Sequence, residues 1–249
     1  LENASIRLHR KDSIYNFDFI TQAFAKQDTL QTAPVDTTKS PWKLKLDLAV
    51  LDLKSVDFIL QDEDEGTTIQ ANVGTAQAVL DKADLATLNF DFQSLALADS
   101  DIRFEETVLK PKSTKPSTAY GFWLQKGEIV RSHVLYSTTE LQFEATLAKM
   151  NLKNLQLLSG DNGIAIQIEQ ANVEQSAMTY RDPEAKPTPG HLNPGELDFA
   201  KLNADISDFS FQNDTLLLQA NDMSGIEKSG VEIHSLKAGL YMTPSSIGI

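Results

Sequence analysis

Apolar and polar residues alternate along much of the chain with a period of two. In Trp42–Leu60 (WKLKLDLAVLDLKSVDFIL), Trp42, Leu44, Leu46, Leu48 and Val50 alternate with Lys43, Lys45, Asp47 and Ala49. That spacing predicts a strand with one apolar and one wet face. Leu51, Asp52 and Leu53 break the parity, and Val56, Phe58 and Leu60 resume it. Two strands joined by a turn or bulge near Asp52–Ser55 are expected, because a one-residue slip sends every side chain to the other face. The pattern returns in Phe143–Ser159 (FEATLAKMNLKNLQLLS), where Leu147 falls at the place of Leu48 and Leu152-Lys153 at that of Leu53-Lys54. A looser third copy starts at Leu202, with Asp208-Phe209 in place of Asp52-Leu53. One β module is repeated.

The other segments follow from the same reasoning. Ala4–His9 reads as a strand. Ile14, Phe17, Ile20 and Phe24 fall on one helical face, which predicts a short helix capped by Ser13 or Asn16. Lys26–Pro41 is a polar linker, Val108–Ser117 a basic Pro-rich loop, and Asp182–Pro194 an irregular Pro-rich excursion. Asp62–Gly66 and Asp161-Asn162-Gly163 read as hairpin turns. Short strands are expected at Thr68–Val73, Ala76–Leu80, Leu88–Phe92, Ser94–Ala98, Asp101–Glu105, Gly121–Lys126, Glu128–Tyr136, Glu140–Ala148, Leu152–Leu158 and Ala171–Tyr180. Further strands follow through Glu196–Ile249, about eighteen in all. The fold class is all-β. The expected organisation is residues 1–41 as strand, helix and linker, then modules at 42–110, 118–182 and 190–249.

The net charge of −13 leaves no basic surface for nucleic acid. The chain has no cysteine, so disulfides and thiolate metal sites are excluded. It has no apolar run of about 20 residues. It starts and stops in mid-pattern, as expected of a piece of a longer protein. His9, His133, His191 and His234 form no pair at metal-ligand spacing, and no G-x-S-x-G, Walker or S-x-x-K motif occurs. Asp62–Gly66 lacks the carboxylate an EF-hand needs at its twelfth position, which is Val73. No catalytic constellation, metal site or cofactor is expected, and the chain reads as no enzyme. The apolar faces either close on each other as a sandwich core or line an exposed trough that binds something apolar.

His191–Ile249 resembles the TamB-like translocation and assembly proteins of the AsmA-related superfamily. The resemblance is carried by His191-Leu192, Leu202, Ile206, the Glu227-Lys228-Ser229-Gly230 turn, and Val231, Ile233 and Leu236 after it. Ile6, Leu8 and Arg10, then Asn16–Ile20 and Phe24, look like the same family's opening, and Trp42 like its module start. The resemblance implies a long curled sheet, the "β-taco", with an apolar concave face. It implies a periplasmic location in Gram-negative cells, an inner-membrane anchor, and an outer-membrane barrel of the BamA superfamily as partner. It also implies work in barrel-protein assembly and in phospholipid movement between the membranes. On that reading Leu44, Leu46, Leu48, Val50, Val56, Phe58 and Leu60 line a lipid trough in the first module. Phe143, Leu147, Leu155, Leu157, Ile164, Ile166 and Ile168 line it in the second, and Leu202, Ile206, Phe209, Phe211, Leu216 and Leu218 in the third. Two other functions fit the same pattern: a scaffold that adds client strands to an open sheet edge, and a closed sandwich serving as a spacer.

Overall fold

A computed structural model describes residues 1–12, 14–16, 50–64, 66–84, 89–107, 120–160, 163–183, 193, 195–212, 215–243 and 246–248. The strands are β1 (Glu2–Lys11), β2 (Ile14–Tyr15), β3 (Val50–Asp62), β4 (Thr67–Asp84), β5 (Asn89–Ala98), β6 (Asp101–Glu106) and β7 (Tyr120–Ser137). They continue as β8 (Gln142–Gly160), β9 (Gly163–Arg181), β10 (Glu196–Gln212), β11 (Thr215–Glu227), β12 (Glu232–Thr243) and β13 (Ser246–Gly248). All thirteen belong to one sheet, in the order β13-β12-β11-β10-β9-β8-β7-β5-β4-β3-β1-β2. β6 continues the line of β5 between β4 and β7. Neighbours are antiparallel except β1–β3 and the pairing of β5 and β6 with β7.

The fold is all-β, one large and mostly antiparallel sheet with no helix among the described residues. Ile14, expected on a helix, instead sits in β2 and pairs with Lys11; Phe17, Ile20 and Phe24 lie outside the described residues. The linker at Lys26–Pro41 and the loop at Val108–Ser117 also lie outside them. The predicted short strands are fewer and longer. β7, β8, β9 and β10 each run through a break that the sequence pattern suggests, and β3 passes Asp52–Ser55 without a turn.

What interrupts the alternation is a line of left-handed residues crossing the sheet. Asn3, Ser55, Asp99, Arg131, Gln175 and Lys201 all have φ between 45° and 53°. Asn3 stands beside Ser55 in the β1–β3 register, and Ser55 faces Gly74 on β4. Gly74 faces Asp99, Asp99 lies beside Arg131, Arg131 faces Ala148, and Ala148 faces Gln175. Gln175 and Lys201 then flank the Ser176–Leu202 pair. A left-handed residue here shifts the side-chain parity and bends its strand, while the β3–β4, β7–β8 and β8–β9 ladders keep their register across it. Repeated at the same level in β1, β3, β7, β9 and β10 and at Asp99, it makes a crease. A second crease runs parallel to the first through Gln93, Gln125, Asn154, Glu169 and Asp208, with Asn154 at φ 51° and Asp208 at φ 54°. Arg131 and Gln125 are six positions apart, so the creases stand roughly 20 Å from each other at about 3.3 Å per residue.

Serines pin the first crease. Ser100, Ser132 and Ser176 each follow a left-handed residue and each is buried. Their hydroxyls donate to the carbonyls of Ala98 (2.8 Å), Val130 (2.9 Å) and Glu174 (2.9 Å), each two residues back. The same oxygens accept the N–H of Gly74 (3.2 Å), Ser100 (3.2 Å) and Ala148 (3.1 Å) on the adjoining strands. Gly74 is required where it stands, because a Cβ there would lie 2.5 Å from the Asp99 carbonyl.

Candidate functional site

Each crease resets the alternation so that apolar side chains stay on one face. On β7 that face takes Phe122, Leu124, Gly127, Ile129, Ser132, Val134 and Tyr136; on β8 it takes Phe143, Ala145, Leu147, Met150, Leu152, Leu155 and Leu157. These seven and seven pair directly across the ladder. A Cβ on Gly127 would lie 3.0 Å from Leu124 Cδ2 and 3.2 Å from Leu152 Cβ, so residues three apart across a crease share the face. The opposite face carries Lys126, Glu128, Lys149, Lys153, Glu169 and Glu174 and is knit by exposed ion pairs, among them Arg131–Asp99 at 2.7 Å and Lys149–Glu174 at 3.2 Å. Such pairs contribute little individually and keep the face wet.

Most of the trough residues expected from sequence fall on the apolar face. Val56, Phe58 and Leu60 pair with Val73, Ala71 and Ile69. Phe143, Leu147, Leu155 and Leu157 lie on it along β8, and Leu155 and Leu157 pair with Ile168 and Ile166 of β9. Phe209 pairs with Ile168, Phe211 with both Ile166 and Leu216, and Ile206 with Ala171 and Ala220. Leu202 meets Ser176 across the ladder, and Leu218 meets Leu240. Ile164 pairs with Ser159 in the β8–β9 ladder, and its side chain lies outside the described set. Leu44, Leu46 and Leu48 lie outside the described residues.

Val50 is a correction. It shares the polar face with Asp52 and Lys54, pairs with Val79, and is 60 % exposed. The parity break at Leu51 puts Leu51 and Leu53 on the apolar face instead, opposite Ala78 and Ala76. Sequence reasoning also missed Leu97, Leu124, Leu152 and Phe199, all buried apolar-face residues. Their signal was present as a spacing of three between apolar residues in an otherwise two-step pattern, for example Leu124 to Gly127 and Leu152 to Leu155.

Burial is graded across this face. It is deepest in the band between and along the creases, where Val56, Ala76, Ala78, Leu124, Leu152, Ala171 and Ala220 are buried. Farther along the strands, Phe58, Leu60, Phe143, Leu157, Ile166, Phe211 and Leu216 are only half-buried. No large side chain among the described residues is below 2 % exposed. A sandwich core, closed by a second sheet, would bury such residues outright.

At one end the face meets a charged turn. Glu227, paired with Phe199 and 5 % exposed, accepts the Ser229 N–H at 2.7 Å, the Ser229 hydroxyl, and the Asp198 N–H at 3.4 Å. Burial pushes its carboxyl up, but these hydrogen bonds, with the Lys228 N–H, outweigh it and hold the group below the usual carboxylate range. Gly230, at φ 93°, closes the turn.

No protein-family model matches the sequence, and no curated protein matches it.

Proposed function

We propose that the half-buried apolar face is a trough for the acyl chains of phospholipid. The segment then serves a periplasm-spanning, bridge-like protein that carries lipid between the inner and outer membranes and partners a barrel of the BamA superfamily. One observation carries the reading: every described strand lies in the same sheet, and along its apolar face Phe58, Leu60, Leu157, Ile166 and Phe211 stay only half-buried. Contiguous apolar surface beyond a few hundred Å² is uncommon without an apolar occupant. Each acyl methylene withdrawn from water contributes about 0.8 kcal/mol and needs no directional contact. A wall of similar aliphatic and phenyl groups gives a chain nearly equal affinity at successive positions. That uniformity lets cargo slide while the head group stays in water.

The test is native mass spectrometry of the purified chain. Bound phospholipid is expected, and Ile166→Arg or Leu155→Asp, each placing a charge in the half-buried part of the face, abolishes it with the circular dichroism spectrum unchanged. Equal lipid content in these variants overturns the reading. A second reading, strand addition by a client protein, is favoured by the edge of β12, whose pairing with β13 is confined to Tyr241–Thr243. Binding of an extended peptide that survives Ile166→Arg would support that scaffold instead.

A further inference from the structure

The polar face carries a cavity that a lipid trough leaves unused, and we infer that it binds an oligosaccharide, uncharged or amino-bearing. The inference is independent of the lipid reading, because the cavity lies on the opposite side of the sheet. It follows the second crease across β5, β7, β8, β9 and β10 and has a volume of about 560 Å³, well within the range of ligand pockets. On β7 to β10 the central lining residue is Leu124, Leu155, Ile168 or Phe209, whose side chain belongs to the apolar face; the lining residues on either side of it have the opposite strand parity and so belong to the polar face.

Three features select the ligand. The first is an aromatic platform. The six-membered ring of the Trp123 indole lies over Gly121, where a Cβ would come within 2.3 Å of it. Glycine at 121 therefore lets the indole settle against the sheet, and an indole offers an apolar surface on which the C–H face of a pyranose stacks.

The second feature is a row of carboxamides. Gln156 and Gln167 are cross-strand partners, and Gln125 faces Asn154. The Gln125 amide donates to Asp81 at 3.1 Å and the Asn154 amide to Glu169, while the carboxamides of Gln156 and Gln167 can both donate and accept, as sugar hydroxyls do.

The third is the placing of charge. Asp91 on β5 and Asp208 on β10 mark the two ends of the cavity. Four strand spacings separate them, roughly 19 Å at about 4.8 Å each. They cannot share one cation, and no three metal-capable groups converge among the described residues. Glu169 between them is engaged by Lys153 and Asn154. An extended ligand that touches several strands fits this layout, and the two carboxylates repel an acidic one.

The test uses the full chain in a Trp42→Phe background, in which Trp123 is the sole tryptophan of the two in the sequence. Its fluorescence is titrated with maltotetraose, the N-acetylglucosamine tetramer, the glucosamine tetramer, tetragalacturonate and tetramethylammonium. A saturable change is expected with at least one neutral or amino tetramer and none with tetragalacturonate. By calorimetry, Trp123→Ala weakens that binding by up to about tenfold. Gln167→Ala also weakens it and supplies the readout if Trp123→Ala fails to fold, while Lys149→Ala, on the same face outside the cavity, leaves it unchanged. The assignment is overturned by no saturable response to any tetramer, by binding that both cavity variants retain in full, or by a response to tetramethylammonium equal to that of the sugars.

Discussion

At the scale of single residues, the molecule depends on polar groups placed inside an apolar face. Ser132 is 3 % exposed, yet its hydroxyl serves two strands, donating to the Val130 carbonyl and accepting the Ser100 N–H. Ser132→Ala leaves that N–H and carbonyl without the hydroxyl in a site closed to water. A buried donor without a partner costs about 1–3 kcal/mol, so urea denaturation should show a loss of that size. Ser235→Ala, whose hydroxyl meets the exposed Asp222 carboxylate, should show far less. Glu227 gives a pH signature. Its folded-state pKa lies below its unfolded value, because the Ser229, Asp198 and Lys228 hydrogen bonds outweigh the burial that pushes it up. The stability it contributes is therefore fully present above the unfolded value of about 4.3 and is lost as pH falls through the lowered folded value. Urea midpoints of the native chain and of Glu227→Gln should differ at neutral pH, the native chain being the more stable, and the gap should close in strong acid. A gap that stays constant with pH would mean that the carboxylate charge plays no part.

At the scale of elements, the all-β class, the hairpins and most of the apolar face were legible, while strand length was not. Apolar alternation marks a face whether or not the strand continues, so a change of parity looks the same for a strand end and for a crease. The sequence pattern ends strands near Gly74, Gln93, Lys149, Glu169 and Asp208, and these are crease positions within unbroken strands or directly beside them. The repeat carries the same information in Leu53-Lys54-Ser55 and Leu152-Lys153-Asn154. The third residue of each is left-handed, although Ser55 lies on the first crease and Asn154 on the second. Ser and Asn at such a place are weak signals, and Arg131, Gln175 and Lys201 are none, since nothing intrinsic to their side chains favours positive φ. There the surroundings accompany the backbone: Asn203 accepts both the backbone and side-chain N–H of Gln175, and Arg131 makes an exposed two-pronged pair with Asp99. The carbohydrate cavity was illegible for the same reason. Its lining residues come from five strands and meet only because the second crease aligns them.

At the scale of the whole molecule, a single sheet has an energetic character different from that of a sandwich. Each strand packs against its ladder neighbours, so stability accumulates strand by strand, as in a solenoid. β8 is paired along nearly its full length on both sides, by β7 and β9, and β9 likewise by β8 and β10. Toward the two edges the ladders shorten: β13 covers only Tyr241–Thr243 of β12, and β2 only Arg10 and Lys11 of β1. Opening from the edges exposes little apolar surface at a time, whereas opening at β8 breaks two long ladders together. Amide hydrogen exchange should therefore be slowest in β8 and β9 and become faster toward β1 and β12, with separate urea dependences for centre and edge. Bound phospholipid should slow exchange most where the apolar face is only half-buried, around Leu157, Ile166 and Phe211, because those side chains gain the most cover from an acyl chain. Uniform protection across all strands, unchanged by lipid, would mean that the sheet opens as one closed unit and that its apolar side is already filled.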